Sequence, residues 1–355
     1  MKNFLVFGCF IFSLNFLQAQ NDYKVIAYYS ADSAQLHKYD FKGMTHLIYG
    51  FGDVVDGVFG PNSDKDLRVL EAMKIIKKEN PGLKTAIALG GWIGCEFCSQ
   101  TFNDEKLTKA FVQSVKNFLN YYDLDGIDLD WEYPAIEGFP GHLYTPADKD
   151  NFTRLVRLLD EKLEDKFISF AAGGFQEYLD HSIDWQGIEP YVDFVNLMSY
   201  DLVNGYSTKT GHHTPLFSSY EGEQSADNAI QFFKKINFPL RKVIIGAALY
   251  SRAFENVPNK NFGIYQPGKF KAYVPYAEAR ELFSTEKGFQ HYWDEKNAAG
   301  FSYNPENQVF VTGDTEKSIK RKVQYVKDQN LGGIMYWELG TDSPKDGLYQ
   351  LIDLK

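Results

Sequence analysis

Eight short runs of β-forming residues, mostly separated by helical segments, narrow the range of folds open to this chain. The runs lie at Val25–Tyr29, His46–Phe51, Lys84–Leu89, Gly126–Trp131, Phe167–Ala172, Phe194–Ser199, Val243–Ala248 and Gly333–Trp337. The clearest helical segments lie at Leu67–Lys78, Lys106–Tyr121, Asn151–Leu163, Ala226–Ile236 and Ser318–Gln329. Strands that alternate with helices of this length predict a parallel sheet, and eight such units predict an α/β fold, the (β/α)8 TIM barrel. A doubly wound open sheet is the alternative, disfavoured because no G-x-G-x-x-G motif follows the first strand.

One interval between predicted strands is too long for a single helix. It separates the seventh strand from the eighth, and its residues from about 254 to 314 are rich in Tyr, Phe, Asn, Pro and Gly. A helix is predicted at Tyr276–Phe283 and a hairpin near Tyr303–Val311. Because a structureless loop of that size is uncommon inside a domain, we expect a small α+β insertion here.

The first twenty residues have the layout of a secretory signal peptide. Lys2 supplies a positive charge, Phe4 to Leu17 is almost entirely apolar, and the apolar run is short for a membrane span. We predict cleavage near Ala19 or Gln20, with 21–355 as the mature barrel, and we leave an uncleaved anchor as the alternative. No later stretch is apolar enough to span a bilayer, so we expect a secreted or periplasmic monomer without stable membrane insertion.

The amino-acid composition indicates which kinds of molecule this protein can bind. The 355-residue chain has 47 acidic and 37 basic side chains, a formal net charge of −10, and no Lys/Arg-rich run. This balance argues against nucleic acid as the main partner, because phosphate binding needs a basic surface. The 29 Phe, 23 Tyr and 5 Trp residues suit a thick core and a cleft that stacks against flat apolar rings or sugar faces.

The three cysteines do not form a disulfide-built scaffold. Cys9 falls in the predicted signal peptide, which leaves Cys95 and Cys98 in a C-x-x-C pattern. Redox or metal chemistry would suit that pattern in the cytosol, but no second C-x-x-C or nearby histidine completes a zinc site. In an exported protein we favour a local disulfide, and we expect neither a metal nor a cofactor.

The stretch DGIDLDWEYP, residues 125–134, is the most informative segment for chemistry. Strand side chains alternate between faces, so Asp128, Asp130 and Glu132 share one face while three apolar residues take the other. In a barrel they form a row inside the lumen, with Glu132 at the C-terminal mouth where barrel enzymes place catalytic residues. Like charges in a dry lumen keep some of these groups protonated, which suits acid–base chemistry. A solvated acidic edge strand and a set of metal ligands are less consistent alternatives.

The D-x-x-D-x-D-x-E string ending at Glu132 resembles the signature of glycoside hydrolase family 18, the chitinases and their relatives. Other segments agree with that family in order and spacing: Ala27–Tyr29, Thr45–Phe51, Leu89–Trp92, Asn196–Asp201, Thr210–Leu216, Gly246–Arg252 and Gly333–Trp337. The insertion resembles the α+β domain of the subfamily whose clefts have one deep wall. The resemblance implies a chitinase that hydrolyses β-1,4 bonds between the N-acetylglucosamine units of chitin or chitooligosaccharides.

The resemblance also implies roles for individual residues. Glu132 would protonate the glycosidic oxygen while the substrate's own acetamido oxygen attacks the anomeric carbon, in place of the usual carboxylate nucleophile. Asp130 would accept the acetamido N–H and Asp128 would share a proton with Asp130. Tyr200 would donate its hydroxyl to the acetamido oxygen. The implied substrate-binding positions are Tyr28, Phe51, Gly91, Trp92, Met198, Asp201, Tyr206, Tyr250, Arg252 and, as the floor under the −1 sugar, Trp337.

One position departs from the family pattern. Asp32 stands where many members carry a Trp that supports outer sugars, which argues against a long stacked run on that side. Two rival functions are an endo-β-N-acetylglucosaminidase acting on glycoprotein glycans and a chitin-binding, lectin-like protein. Relatives of the first kind usually lack the insertion, and those of the second typically lose the acid at the Glu132 position.

Overall fold

A closed ring of parallel strands forms the centre of the computed structural model, which describes residues 23–354. The strands of this part of the chain are β1 (Lys24–Tyr29), β2 (His46–Val55), β3 (Val58–Pro61), β4 (Lys84–Gly90), β5 (Gly126–Asp130), β6 (Phe167–Gly173), β7 (Phe194–Met198), β8 (Val243–Ala248), β9 (Tyr250–Glu255), β10 (Lys269–Pro275), β11 (Gln290–Asp294), β12 (Ala299–Asn304), β13 (Val309–Gly313) and β14 (Gly333–Trp337). The parallel strands follow the order β1-β14-β8-β7-β6-β5-β4-β2, and β1 also pairs with β2, which closes the ring. The predicted (β/α)8 barrel is therefore confirmed, and the open sheet is excluded.

Helices cover the outside of the ring. In the described residues they are α1 (Ser33–Leu36), α2 (Asp64–Glu79), α3 (Cys98–Asn103), α4 (Glu105–Tyr122), α5 (Asp148–Leu163), α6 (Gln176–His181), α7 (Trp185–Ile188), α8 (Ala226–Lys235), α9 (Tyr276–Leu282) and α10 (Glu316–Asp328). Side-chain caps start several of them: Ser63 accepts a backbone N–H of α2, Asp104 accepts two of α4, and Thr315 forms a capping box with Ser318 at α10. The five helices predicted from the sequence are α2, α4, α5, α8 and α10.

The core has two layers, and β5 shows how the sequence assigns residues to them. Ile127 and Leu129 pack outward between the sheet and the helices. Because strand side chains alternate, Asp128 and Asp130 point into the lumen. The inner layer is otherwise filled by Ile26, Tyr28, Ile48, Ala86, Ala88, Phe167, Ala171, Phe194, Met198, Tyr200, Ile244, Ala248, Tyr250 and Met335.

A five-stranded antiparallel sheet occupies the long interval between β8 and α10. Its order is β10-β9-β13-β12-β11, and helix α9 lies beside it. A small apolar core of its own contains Phe254, Val257, Ile264, Phe301, Tyr303 and Phe310. Since only Leu249 separates β8 from β9, the sheet starts at Tyr250, a few residues before the predicted boundary near 254.

The short strand β3 is not predicted by the alternation of strands and helices. Strand β2 runs four residues past its predicted end at Phe51 and pairs antiparallel with β3. Asp56 and Gly57 form the turn with φ values of 51° and 74°. This Asp-Gly pair is a hairpin signal that was available in the sequence.

The predicted signal peptide at 1–20, together with Cys9, lies outside the described residues. Between residues 23 and 354, none of the helices combines the length and the apolar character needed to cross a bilayer.

Candidate active site

Three carboxylates rise through the lumen from β5 to the mouth of the barrel. Asp128 is fully buried and Asp130 is 4% exposed. Strand β5 ends at Asp130, and Trp131 turns outward against Phe102 with a ring-centroid distance of 5.5 Å. Glu132 follows at the C-terminal mouth, where it is half-buried. The alternation therefore places these groups where the sequence predicts them.

Asp128 is held by three donors. Tyr28 donates its hydroxyl to Oδ2 at 2.8 Å, Ser169 donates to Oδ1 at 2.6 Å, and Asn196 donates its amide to Oδ1 at 3.1 Å. Burial raises the pKa of Asp128, and these hydrogen bonds oppose the shift. Ser169 and Asn196 are not predicted site residues, although each points inward from a neighbouring strand. The three donors occupy both oxygens of Asp128, so its sharing of a proton with Asp130 stays a prediction.

Asp130 and Glu132 both have raised pKa values. Burial raises the pKa of Asp130 well above its usual value, and Glu132 and Asp128 raise it further by charge repulsion. Burial also raises the pKa of Glu132 to about 7, opposed by a hydrogen bond with Tyr133 and reinforced by Asp201. Oδ1 of Asp130 has no hydrogen-bond partner among the described residues. One oxygen of the row thus lacks a donor, and the pKa of the acid at the mouth lies near neutral pH.

An aromatic wall that the sequence does not predict lies beside the carboxylates. Tyr133 contacts Tyr178 and Phe175, each with a centroid distance of 5.4 Å. Burial, then Asp130 and Glu132, raises the pKa of Tyr178 well above its usual value, but its side chain is only 1% exposed and packs behind Tyr133. Tyr133, which is half-buried, is therefore an additional candidate for substrate contact.

Met198 at the end of β7 and Tyr200 just after it line the lumen two strands away from β5. Both are nearly buried, at 9% and 8% exposure, and both pack in the lumen cluster. Burial raises the pKa of Tyr200 well above its usual value, followed by Asp130, Asp201, Glu132 and Asp128. The Tyr200 hydroxyl donates to Sδ of Met335 at 3.8 Å, and its predicted contact with the acetamido oxygen stays a prediction.

Asp201 is held by a cation from the insertion sheet. Arg252 in β9 donates from Nε at 2.8 Å and from a terminal nitrogen at 2.7 Å, a bidentate contact. Burial raises the pKa of Asp201, but contacts with His213 and Arg252 outweigh it, so the pKa lies below its usual range. Arg252 also lies over Tyr250 and Tyr273, whose rings stack 4.5 Å apart. His213 and Tyr273 are not predicted from the sequence.

Trp337 forms an aromatic floor at the end of β14. It stacks on Phe51 with a centroid distance of 5.5 Å and an interplanar angle of 22°, and it lies 5.7 Å from Tyr28. Gly91 has a φ of +76°, and a Cβ there would lie 2.5 Å from the Phe51 ring, so glycine is required. Trp337 itself is half-buried, which leaves part of its ring available to a ligand.

The rim of the cleft carries Trp92 and Tyr206. Their rings lie 6.1 Å apart, and Trp92 also contacts Phe139 at 5.9 Å. Tyr206 is 65% exposed, and it approaches Trp92 from the loop that follows β7. Asp32, in contrast, is an exposed cap of the short helix α1 and contributes no ring.

Cys95 and Cys98 are joined by a disulfide in the loop that follows β4. Both residues are buried, and Cys95 has a φ of 64°. The disulfide spans the turn between Trp92 and α3, so it braces the rim rather than the carboxylate row.

Comparisons with known proteins agree with this geometry. A model of the glycosyl hydrolases family 18 matches residues 24–342. Chitinase A1 from Niallia circulans is 26% identical over 92% of this chain, which spans only 58% of that protein's length. The structure of a family 18 N-acetylglucosaminidase from Paenibacillus barengoltzii is 32% identical with a TM-score of 0.82, over 93% of this chain and 98% of the other. The Ostrinia furnacalis group IV chitinase in complex with allosamidin is 26% identical with a TM-score of 0.85, again over 93% and 98%.

Proposed function

The chain belongs to the glycosyl hydrolases family 18, and on that basis we propose that it is a chitinase that cleaves β-1,4 bonds between N-acetylglucosamine units. Its substrates are chitin and chitooligosaccharides, and it retains the anomeric configuration by substrate-assisted catalysis. The observation that carries the proposal is the pair of carboxylates at the barrel mouth: Glu132, whose pKa is raised to about 7, and Asp130, which has one carboxylate oxygen without a hydrogen-bond partner among the described residues.

The acid step follows from the environment of Glu132. A pKa of about 7 keeps a large share of Glu132 protonated near neutral pH, so it can donate its proton to the leaving oxygen. The glycosidic C–O bond breaks as the acetamido oxygen bonds to the anomeric carbon. Glu132, now ionised, then takes a proton from water as that water opens the oxazolinium ring. The proton that left Glu132 is thereby restored.

The acetamido group needs partners of its own. Oδ1 of Asp130 accepts its N–H and offsets the positive charge that develops on the ring. Tyr200 donates its hydroxyl to the acetamido oxygen from the other side. Trp337 supports the apolar face of the same sugar, since an indole ring matches that surface. These roles are supported by the burial of Asp130 and Tyr200 and by the effect of Asp130, which raises the pKa of Tyr200.

Three other functions can be compared with the site. The Paenibacillus barengoltzii relative is described as an N-acetylglucosaminidase, which makes release of single sugars an outcome to test. A lectin-like role needs no acid, and the presence of Glu132 argues against it. The insertion sheet argues against the glycan-cleaving relatives, which usually lack it.

We further propose that the protein is exported by the predicted signal peptide.

Product analysis tests the proposal. Purified protein is incubated with chitotetraose to chitohexaose and, separately, with N-glycosylated protein, and the products are identified by mass spectrometry. We expect chitooligosaccharide cleavage, and we expect Glu132→Gln to lower kcat by roughly 10²–10⁴-fold while the protein stays folded. Glu137→Gln is the matched control, because Glu137 is an exposed acid in the same loop. Cleavage of glycoproteins alone, or full activity of Glu132→Gln, would contradict the proposal.

A further inference from the structure

His213 lies directly behind Asp201 and has no assigned part in the reaction. Its side chain is fully buried, and its Nδ1 accepts the backbone N–H of Asp201 at 3.3 Å. The Nδ1 atom also lies 3.5 Å from Oδ1 of Asp201. Asp201 has a φ of 55°, in the left-handed region that side chains other than glycine rarely adopt. The imidazole therefore contacts a residue that holds an uncommon backbone conformation.

Nδ1 contacts Asp201 in either tautomer of the ring. When Nδ1 accepts the Asp201 N–H, the proton of the neutral imidazole sits on Nε2, and when Nδ1 carries the proton it faces Oδ1 of Asp201. Nε2 has no hydrogen-bond partner among residues 23–354. Burial lowers the pKa of His213, which favours this neutral form. Of the two ring nitrogens, only Nδ1 thus contacts Asp201.

Charged and titratable groups surround His213 from several elements. Asp201 and Asp314 favour its protonation, while Arg252 in β9 opposes it. The ring of Tyr250 packs against the imidazole at 5.2 Å. Asp314 is in turn paired with the buried Lys322 of α10 at 2.7 Å. The backbone N–H of His213 is itself held by Thr312 in β13, so the ring is fixed from both the barrel and the insertion.

We propose that His213 is a positioning residue that holds Asp201 in its left-handed conformation and so fixes its carboxylate in the position where it contacts Arg252. The proposal rests on the proposed function, because it concerns the acid of that reaction. Asp201 raises the pKa of Glu132, and a carboxylate that moved away would no longer do so. Loss of the Nδ1 contact should then lower the pH above which the enzyme loses activity.

A pair of amide substitutions separates positioning from simple packing. In His213→Asn the amide oxygen takes the place of Nδ1 and can accept the Asp201 N–H, whereas in His213→Gln the amide group takes the place of Nε2. The alkaline limb is the fall of kcat/KM on the high-pH side of the pH profile. We expect His213→Asn to keep this limb at its wild-type pH. For His213→Gln we expect the limb to shift down by about half a pH unit or more. A displaced Asp201 should also lower its kcat by roughly ten- to a hundredfold.

His212 provides the matched control. It is equally buried but contacts Asp294 of the insertion sheet, at 3.3 Å, instead of Asp201. His212→Gln should leave the alkaline limb in place whatever its effect on stability. The proposal is overturned if the Asn and Gln variants at 213 have the same limb, or if His212→Gln moves it as far. Failure of the proposed function shows separately, as wild-type protein that does not cleave chitooligosaccharides at any pH.

Discussion

A single proton on Glu132 connects the electrostatics of the cleft to its chemistry. Burial raises the pKa of this acid to about 7, well into the range where a protein is normally handled. Because the general acid must be protonated, kcat/KM should fall as the pH rises through about 7. A pH profile measured on a soluble chitooligosaccharide checks this.

Removal of the Asp201 charge should lower the pKa of Glu132. Asp201 raises the pKa of Glu132, so Asp201→Asn should shift the alkaline limb to lower pH, in addition to any loss of rate. A limb that moves to higher pH in this variant would contradict the assignment of Glu132. A wild-type profile that stays flat up to about pH 9, roughly two units above the pKa of this acid, would contradict it as well.

The unbonded oxygen of Asp130 leads to a prediction about the substrate. If Asp130 holds the acetamido group, partly acetylated chitosan should be cut only where an N-acetylated sugar lies on Trp337. Each new reducing end should then be N-acetylglucosamine, and fully deacetylated chitosan should resist cleavage. Sequencing the released ends by mass spectrometry measures this.

The corresponding variant separates the two carboxylates. Asp130→Asn keeps the acid Glu132 but weakens the support for the acetamido group, so kcat should fall by roughly 10²–10³-fold, as for other lost transition-state contacts. A substantial fraction of glucosamine at the new reducing ends of wild-type digests would show that the acetamido group is not the nucleophile.

At the scale of elements, the loop after β4 is defined by the disulfide between Cys95 and Cys98. The pair closes a ring of only four residues, so the chain-entropy model gives a stabilisation of about 2 kcal/mol at most. We expect the double variant Cys95→Ser/Cys98→Ser to fold with a slightly lower Tm. Alkylation and mass spectrometry of native protein, with and without reductant, tests the bond itself, and two free thiols would refute it.

Sequence patterns predict those elements that local periodicity determines. The eight barrel strands and the acidic row of β5 follow from alternation, because a strand's inward and outward faces are separated by a period of two. The D-G turn of β3 is a local signal as well. These features need no knowledge of distant residues.

Other site residues depend on pairing between distant segments, which no local pattern encodes. Tyr273 reaches the cleft because β10 pairs antiparallel with β9, so that Tyr273 lies opposite Arg252. His213 meets Asp201 only because the loop after β7 folds back on its own start. Tyr178 packs on Tyr133 from α6, a short helix that carries no periodic signal.

For the whole molecule, a buried ion pair joins the ends of the insertion to the barrel. Lys322 of α10 donates to Asp314 at 2.7 Å, and Asp314 also accepts the backbone N–H of Ala248, the last residue of β8, at 2.9 Å. Both charged side chains are fully buried. Lys322→Met leaves a carboxylate buried without its cation, which should lower the free energy of unfolding by about 3–5 kcal/mol.

Urea denaturation measures that loss, and the same helix offers a control. Lys320 is 63% exposed, so Lys320→Met should change the free energy of unfolding by less than about 0.5 kcal/mol. The double variant Lys322→Met/Asp314→Asn should lose less than Lys322→Met alone, because the unpaired charge is gone. Equal losses in Lys320→Met and Lys322→Met would mean that the pair does not stabilise the junction.

The position of β9 has a consequence for recombination between relatives. This strand begins the insertion sheet, yet its residues Tyr250 and Arg252 contact the catalytic cleft and Asp201. A chimaera that exchanges the whole insertion at Leu249 therefore also exchanges the cation that holds Asp201. A crossover placed after Arg252 would leave that cation with its barrel. An exchange that replaces the insertion wall of the cleft thus also replaces part of the catalytic site.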